Sequence, residues 1–512
     1  MEGISVSLVL TEMHNHNGGA GIIWDTGLGK SHLAMVVATF LMGEGLIDHT
    51  IVVCERVKMG EWVDDFHQFT ALQAMKHHGP GREKRLKESN HAVTVTTYET
   101  GRTDFGKLIQ EPNKRGKTMV DGWMLDHFRG ARVLIVFDEA TKLKNRSSQT
   151  HRVWAHATKQ MRKAAGVRTI ALSATPFETG PDDVFNVRRI CQPVGLPTIA
   201  EYEKTFLRGR DPFGRPQYHK GLLPLFHQEY VRPWIHRKRK TDEDVIAQFP
   251  KMTEQSLKFD LPPDTLKFYE AVEALGWDDE TGEPVDVPGL YTVLRQIAGY
   301  PEAITRSPGA LATMLTEEFG RDYICALPSV KAEALVEHAG VITEQGAKLV
   351  VFSFFGQSIV PLLTRDLEKH KIKVFTNHGG LTEAVADAAR KAFRAWEGPA
   401  VLVSSDAGSK GLNLPEATYV TNYELPTLHT SYIQRINRCS RIVGGKDKIL
   451  TVQSYIALGT VEESRAETMM TRNEDADIVL GDDTYDDERF VSAADRRAAL
   501  GIARNRKRTK RR

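Results

Sequence analysis

Seven residues, Asp25-Thr26-Gly27-Leu28-Gly29-Lys30-Ser31, constrain this chain more than any other stretch. They follow a short apolar run, Ala20-Gly21-Ile22-Ile23-Trp24, and precede a helical pattern from His32 to Ala38. Strand, glycine-rich turn, Lys-Ser and helix is the order of a phosphate-binding P-loop. Gly27 and Gly29 carry no Cβ, so backbone N–H groups there can approach phosphate oxygens. A helix opening near Lys30 turns its positive end toward the same anion. Lys30 can reach β- and γ-phosphates, and the Ser31 hydroxyl can ligate Mg2+. Thr26, Gly27, Leu28, Gly29, Lys30 and Ser31 are therefore the expected nucleotide cradle. One position departs from the usual spacing, because Trp24 stands where the first glycine falls. The alternative is an ordinary turn that contains Gly-Lys-Ser.

The rest of the chain decides between them. Arg132-Val133-Leu134-Ile135-Val136-Phe137 runs into Asp138-Glu139. An apolar strand ending in two carboxylates is the partner that a P-loop requires. Asp138 is expected to hold Mg2+, and Glu139 to orient and deprotonate the attacking water. Other continuous apolar runs read as buried parallel strands: Thr50 to Cys54, Ala92 to Glu99, and Thr169 to Leu172 leading into Ser173-Ala174-Thr175-Pro176. Glu61, Trp62, Val63 and Phe66 follow helical spacing, whereas Met1 to Gly19 reads as a polar loop and Gly106 to Asp121 as a polar surface excursion. Strands alternating with helices imply a doubly wound parallel sheet with ligand at the carboxyl ends of the strands.

From Cys191 to about Pro328 prolines, aromatics and helical segments replace buried strands. The basic cluster Arg237-Lys238-Arg239-Lys240 is either a solvated face or a phosphate contact. A second parallel domain starts near Ser329, with strands at Lys348–Ser353, 373–375, Ala400–Ser405 and 419–423. It carries the loop Asp406 to Leu414 and the segment Tyr432 to Arg441. Arg438 and Arg441, three apart beside Gln434, project from one helical face, where two planar, permanently charged side chains suit a phosphate gaining charge.

At 512 residues the chain exceeds one ordinary core, so two or three domains are expected. A net charge of +2 leaves any basic surface local, the clearest being the tail Arg504 to Arg512 after the acidic Asp482 to Glu488. No run has the length of a membrane span, and Met1 to Thr11 lacks the features of an export signal. The four cysteines are scattered singly, which excludes a zinc cluster, argues against a disulfide framework and points to the cytoplasm, or a host's cytoplasm for a viral chain.

The order of these motifs resembles superfamily 2 helicase-related ATPases, and more narrowly the Swi/Snf family of double-stranded DNA translocases in a minimal prokaryotic or viral form. Asp25 to Ser31 is similar to that family's P-loop, and Trp62 follows the strand ending in Cys54 as in its second motif. Arg239 to Val245 with Phe249-Pro250-Lys251 is similar to a block before its second lobe. Ala407 to Leu414, and the spacing of Gln434, Arg438 and Arg441, resemble its fifth and sixth motifs. The resemblance implies two RecA-like lobes: 1–192 as the ATP-binding lobe, 193–328 as a helical insertion and linker, 329–470 as the second lobe, and 471–512 as a flexible acidic-then-basic tail. It implies ATP and Mg2+, with Gln434 at the nucleotide and Lys30, Asp138, Glu139, Arg438 and Arg441 in catalysis. It implies a monomer on double-stranded DNA, with DNA-bound proteins as further partners. The expected backbone grips are Thr96, Thr97, Ser404, Ser405, Gly408, Gly411 and Asn413, through hydroxyls and amides that do not read bases.

Two departures stand out. Before Gly18 there is no room for the family's glutamine-containing adenine segment, and Ser173-Ala174-Thr175 is more like strand-separating helicases. The rival functions are accordingly a strand-separating DNA or RNA helicase and a nucleotide-gated DNA-binding module with little turnover.

Overall fold

The structure is a computed structural model that describes residues 2–16, 18–110, 117–178, 180–210, 216–246, 249–278, 280–281, 283, 285–406, 414–440 and 449–480. It divides into two compact units, the first running to Asp242 and taking in residues 474–480, the second beginning at Glu243.

The first unit is built on a seven-stranded, all-parallel sheet. Its strands are β1 (Gly19–Trp24), β2 (His49–Cys54), β3 (Ala74–His77), β4 (Val93–Thr97), β5 (Val133–Asp138), β6 (Val167–Ser173) and β7 (Ile235–Lys238), in the spatial order β7-β1-β6-β5-β2-β4-β3. The central strands are apolar throughout because both faces are covered. In β2, Ile51 and Val53 enter one core while Val52 and Cys54 enter the other. In β5, Ile135 and Phe137 alternate with Leu134 and Val136 in the same way. Such two-faced burial is what a continuous β-branched run requires.

Helix α1 (Glu2–His16) replaces the loop expected before Gly18. Its Ile4, Leu8 and Leu10 pack on the core around β1. Two of its hydroxyls are buried and paired within the helix, Ser7 Oγ donating to Gly3 O at 2.6 Å and Thr11 Oγ1 to Leu8 O at 3.1 Å. Helix α2 (Lys30–Gly43) leaves the P-loop, α3 (Met59–Phe69) follows β2, and α4 (Tyr98–Phe105) follows β4. The excursion expected from Gly106 to Asp121 contains an antiparallel hairpin, Gly106–Gln110 against Lys117–Asp121.

The second unit holds a six-stranded parallel sheet of β8 (Lys251–Phe259), β9 (Lys348–Ser353), β10 (Val374–Asn377), β11 (Ala400–Ser405), β12 (Tyr419–Asn422) and β13 (Ile449–Ala457). Their order is β8-β13-β12-β9-β11-β10. Here too β9 alternates between two cores, Leu349 and Val351 on one side, Val350 and Phe352 on the other. Helix α5 (His429–Asn437) carries Gln434, and α6 (Val461–Leu480) ends the described chain.

Two expectations about organisation are corrected. The stretch 193–328 is not purely helical, since it supplies β7 to the first sheet and β8 to the second. Both are edge strands, which bond a neighbour on one side only and need no continuous apolar run. The first ten residues of the expected flexible tail are the end of α6, with Val479 and Leu480 buried in the first unit's core. His227 Nδ1 lies 2.8 Å from Val479 O. Residues 481–512, including the basic block, lie outside the described residues.

Candidate active site

The P-loop leaves the carboxyl end of β1 with Gly27 at φ 92° and Gly29 at φ 84°. Both values lie in the left-handed region that favours glycine, and a Cβ at Gly29 would meet nothing within 4 Å. Helix α2 then starts with no side-chain cap and no acidic residue in its first turn, so its amides stay available to an anion. Lys30 Nζ donates to Trp24 O at 2.7 Å and Asp25 O at 3.2 Å, folding back over the loop. Burial pushes its ammonium down to about 8, with Glu139 and Asp138 opposing the shift. Thr26, Leu28 and Ser31 are half-buried around it, and Gly27 is exposed.

Trp24, at the first-glycine position, is anchored by donating its Nε1 to His236 Nδ1 at 2.8 Å. Asp25 joins the loop to β7 more firmly. Its Oδ1 accepts from Arg237 Nη1 at 2.9 Å, its Oδ2 from the Lys240 amide at 3.0 Å, and its own amide donates to Lys238 O at 2.9 Å. The basic cluster that sequence left between two readings is thus, in part, a brace for the P-loop.

The carboxylate strand β5 lies one strand away from β1, across β6. The register pairs Ile23 with Ser173 and Asp138 with Leu172, so Ser173-Ala174-Thr175 emerges between the P-loop and the Asp-Glu pair. Ser173 Oγ accepts from the Thr175 amide at 3.0 Å. Glu139 sits at φ 55°, a left-handed conformation unusual for a side-chain-bearing residue, which turns the chain sharply out of the strand. Burial raises its carboxyl above the ordinary range, and Lys58 works against that. Asp138 is held from three sides: Lys58 Nζ at 3.2 Å and Trp62 Nε1 at 3.0 Å from Oδ2, and Tyr98 OH donating to its carbonyl at 2.9 Å. The structure brings the P-loop, Asp138 and Glu139 together at one edge of one sheet. Lys58 was not anticipated. The signal for it was position, since a cation just beyond β2 neighbours the end of β5 once those two strands are adjacent.

In the second unit Gln434 is exposed on α5, and Arg438 is half-buried at its C-terminal end, its carbonyl accepting from the Leu414 amide at 2.8 Å. The fully buried arginine of this helix is Arg435, with Nε 2.6 Å and Nη2 2.8 Å from the two oxygens of Asp406, and Nη1 on Glu424 O at 2.8 Å. It fixes the start of the expected fifth-motif loop. Arg441, Gly408, Gly411 and Asn413 lie outside the described residues.

The hydroxyl grips are corrected by burial. Thr96 and Ser404 are fully buried, and Thr97 and Ser405 nearly so. Thr96 Oγ1 donates to His77 O at 3.2 Å, and Thr97 caps α4 by accepting from the Thr100 amide at 3.0 Å. Ser404 Oγ donates to Ser405 O at 3.2 Å, and Ser405 Oγ accepts from the Gly379 amide at 3.2 Å. These four side chains are buried at strand ends and bonded within the protein.

Parallel sheet, left-handed glycines before an uncapped helix, and a neighbouring strand ending in Asp-Glu define a P-loop protein with two RecA-like sheets. The SNF2-related domain family matches residues 4–288 and the helicase conserved C-terminal domain family matches 330–443. The chain belongs to the SNF2-related family. It is 26% identical over 461 residues to the Bacillus subtilis protein YwqA, named as a candidate ATP-dependent helicase/translocase, covering 87% of this chain and 45% of that one. It is 23% identical over 497 residues to human DNA excision repair protein ERCC-6, covering 89% of this chain and 30% of that one. The chain thus spans less than half the length of either relative. Among solved structures, the Pyrococcus furiosus Hef helicase domain shares the fold at TM-score 0.54 and 16% identity, covering 91% of this chain and 97% of that domain.

Proposed function

We propose that this chain is an ATP-driven motor that moves along double-stranded DNA and displaces or remodels proteins bound there. The observation that carries the reading is the convergence of Lys30, Asp138 and Glu139 at one sheet edge beside an uncapped helix start, in a chain of the SNF2-related family.

The donor set fits a nucleotide with Mg2+. The Gly27-to-Ser31 amides and Lys30 hold the β- and γ-phosphates. Ser31 and Asp138 offer Mg2+ one hydroxyl and one carboxylate, the few protein ligands this ion takes when phosphates supply the rest. Mg2+, when bound, neutralises charge building on the phosphoryl oxygens. Water attacks the γ-phosphorus, the bond to the β-phosphate oxygen breaks, and the proton goes to Glu139. Gln434 keeps the nucleotide-binding role its motif implies, and Arg438 and Arg441 support turnover by stabilising transferred charge. The DNA grip falls to the loop containing Gly408, Gly411 and Asn413. The motor works as a monomer in the cytoplasm.

The test is ATP turnover measured separately with duplex DNA, single-stranded DNA and RNA. Duplex DNA is expected to stimulate most. Equal stimulation by single strands or RNA favours the second reading, a strand-separating helicase, the kind of protein whose motif Ser173-Ala174-Thr175 resembles.

A further inference from the structure

Asp138, the carboxylate assigned to the metal, already carries a cation. Lys58 leaves β2 through a single 3-10 turn, Arg56–Lys58, and reaches sideways to β5. The register sets Val53 against Phe137, so the end of β2 lies beside Asp138, and the turn that follows brings Lys58, four residues past Cys54, back to that carboxylate. Lys58 Nζ lies 3.2 Å from Asp138 Oδ2 and 3.9 Å from Glu139 Oε1. Trp62 Nε1 donates to the same Oδ2 at 3.0 Å. Lys30, the P-loop cation, is instead turned onto the carbonyls of Trp24 and Asp25. The cation in contact with the carboxylate pair is therefore a residue outside the P-loop, with Lys30 acting on the pair from farther away.

We propose that Lys58 is a positioning residue that occupies the cation position on Asp138, so that bare divalent metal is kept out and enters only together with a polyphosphate. The proposal rests on the reading of Asp138 as the metal carboxylate. Three features support it. The ammonium sits 3.2 Å from one oxygen of Asp138, so a divalent ion on this carboxylate would have to displace it or sit beside a like charge. The Lys58 side chain is 35% exposed while that of Asp138 is 5% exposed, so the lysine has solvent to swing into and the carboxylate does not. A polyphosphate supplies new negative charge that draws the ammonium off Asp138 and pairs with the entering metal. Trp62 stays in place throughout, keeping Asp138 oriented during the exchange. The device makes metal binding conditional on substrate, which prevents a tightly held ion from blocking the site.

The experiment is a titration of the full chain with Mn2+, read by the loss of the free-ion paramagnetic resonance signal, without nucleotide and then with ADP. The variants are Lys58→Met, Lys58→Arg, Lys58→Gln and Asp138→Asn. Without nucleotide, Lys58→Met is expected to bind Mn2+ at least about tenfold more tightly than wild type, since one repulsive charge at contact distance is removed. Lys58→Gln should follow Met and Lys58→Arg should stay near wild type. With ADP the difference should shrink. Loss of a side chain with a merely structural role does not tighten metal binding. Unchanged or weaker Mn2+ binding in both Lys58→Met and Lys58→Gln overturns the proposal, and leaves Asp138 as the ligand if Asp138→Asn abolishes ADP-dependent binding. If Asp138→Asn binds Mn2+ as wild type does, the assignment of the metal carboxylate fails, and the proposal with it.

Discussion

Asp25 stands one residue before the nucleotide cradle, and its removal tests whether β7 braces that cradle. In Asp25→Ala two bonds disappear, from Arg237 Nη1 at 2.9 Å and from the Lys240 amide at 3.0 Å. Hydrogen bonds to a charged group are worth about 1.5–3 kcal/mol each when buried. Each bond falls below that range, at about 1 kcal/mol, because the Asp25 side chain is 27% exposed and Arg237 Nη1 retains Ile23 O at 3.1 Å. The net loss is then about 2 kcal/mol, with Asp25→Asn losing about half, since one oxygen remains an acceptor. For a unit of this size, about 2 kcal/mol lowers the melting temperature by about 4–8 °C. The carbonyl of Asp25 also receives Lys30 Nζ, so a loosened loop should cost nucleotide affinity about tenfold, or about 1.4 kcal/mol. Thermal melts and fluorescent-nucleotide titrations of both variants measure these quantities. An Asp25→Ala protein that melts and binds nucleotide as wild type does would refute the brace. An Asn variant as damaged as the Ala variant would locate the effect in charge alone.

Lys30→Ala should abolish hydrolysis by removing the point charge on the phosphates, while Glu139→Gln should bind ATP normally and turn over about 10²–10⁴-fold more slowly; near wild-type turnover in the Gln variant contradicts the assignment of the base. Lys30 should impose a pH limit as well. Burial lowers its pKa to about 8, so it is charged below that pH and neutral above it. A bound polyphosphate favours the charged form, so ATP binding should take up a proton near pH 8 and weaken as the pH rises further; calorimetry in buffers of different ionisation enthalpy that detects no uptake counts against this. Arg441→Ala should lower turnover by about 10³–10⁵ with little change in nucleotide affinity, and equal loss of both would make it a ground-state anchor.

What could be read from sequence followed from burial on two faces. Strands such as β2, β5 and β9 are covered on both sides and have continuous apolar runs. The edge strand β7 reads Ile-His-Arg-Lys because it has one bonded neighbour, and polarity hid it. The P-loop and the Asp-Glu pair were legible because their chemistry needs those residue types at strand ends. The hydroxyl grips misled for the same reason in reverse. A threonine at a strand end serves equally as a helix cap or a phosphate contact, and only the burial of Thr97 against Thr100 separates the two. Lys58 was hidden because its role depends on strand order, which places residues 80 positions apart side by side.

The measurement that tests the central claim most directly is displacement of a third strand from a triplex, run beside unwinding of a forked duplex. A motor that tracks intact duplex strips the third strand with ATP and leaves the fork paired. The Glu139→Gln variant should do neither. ATP-dependent fork unwinding without triplex displacement would contradict the translocase reading, and would make Ser173-Ala174-Thr175 a better guide to function than the Arg239-to-Val245 block.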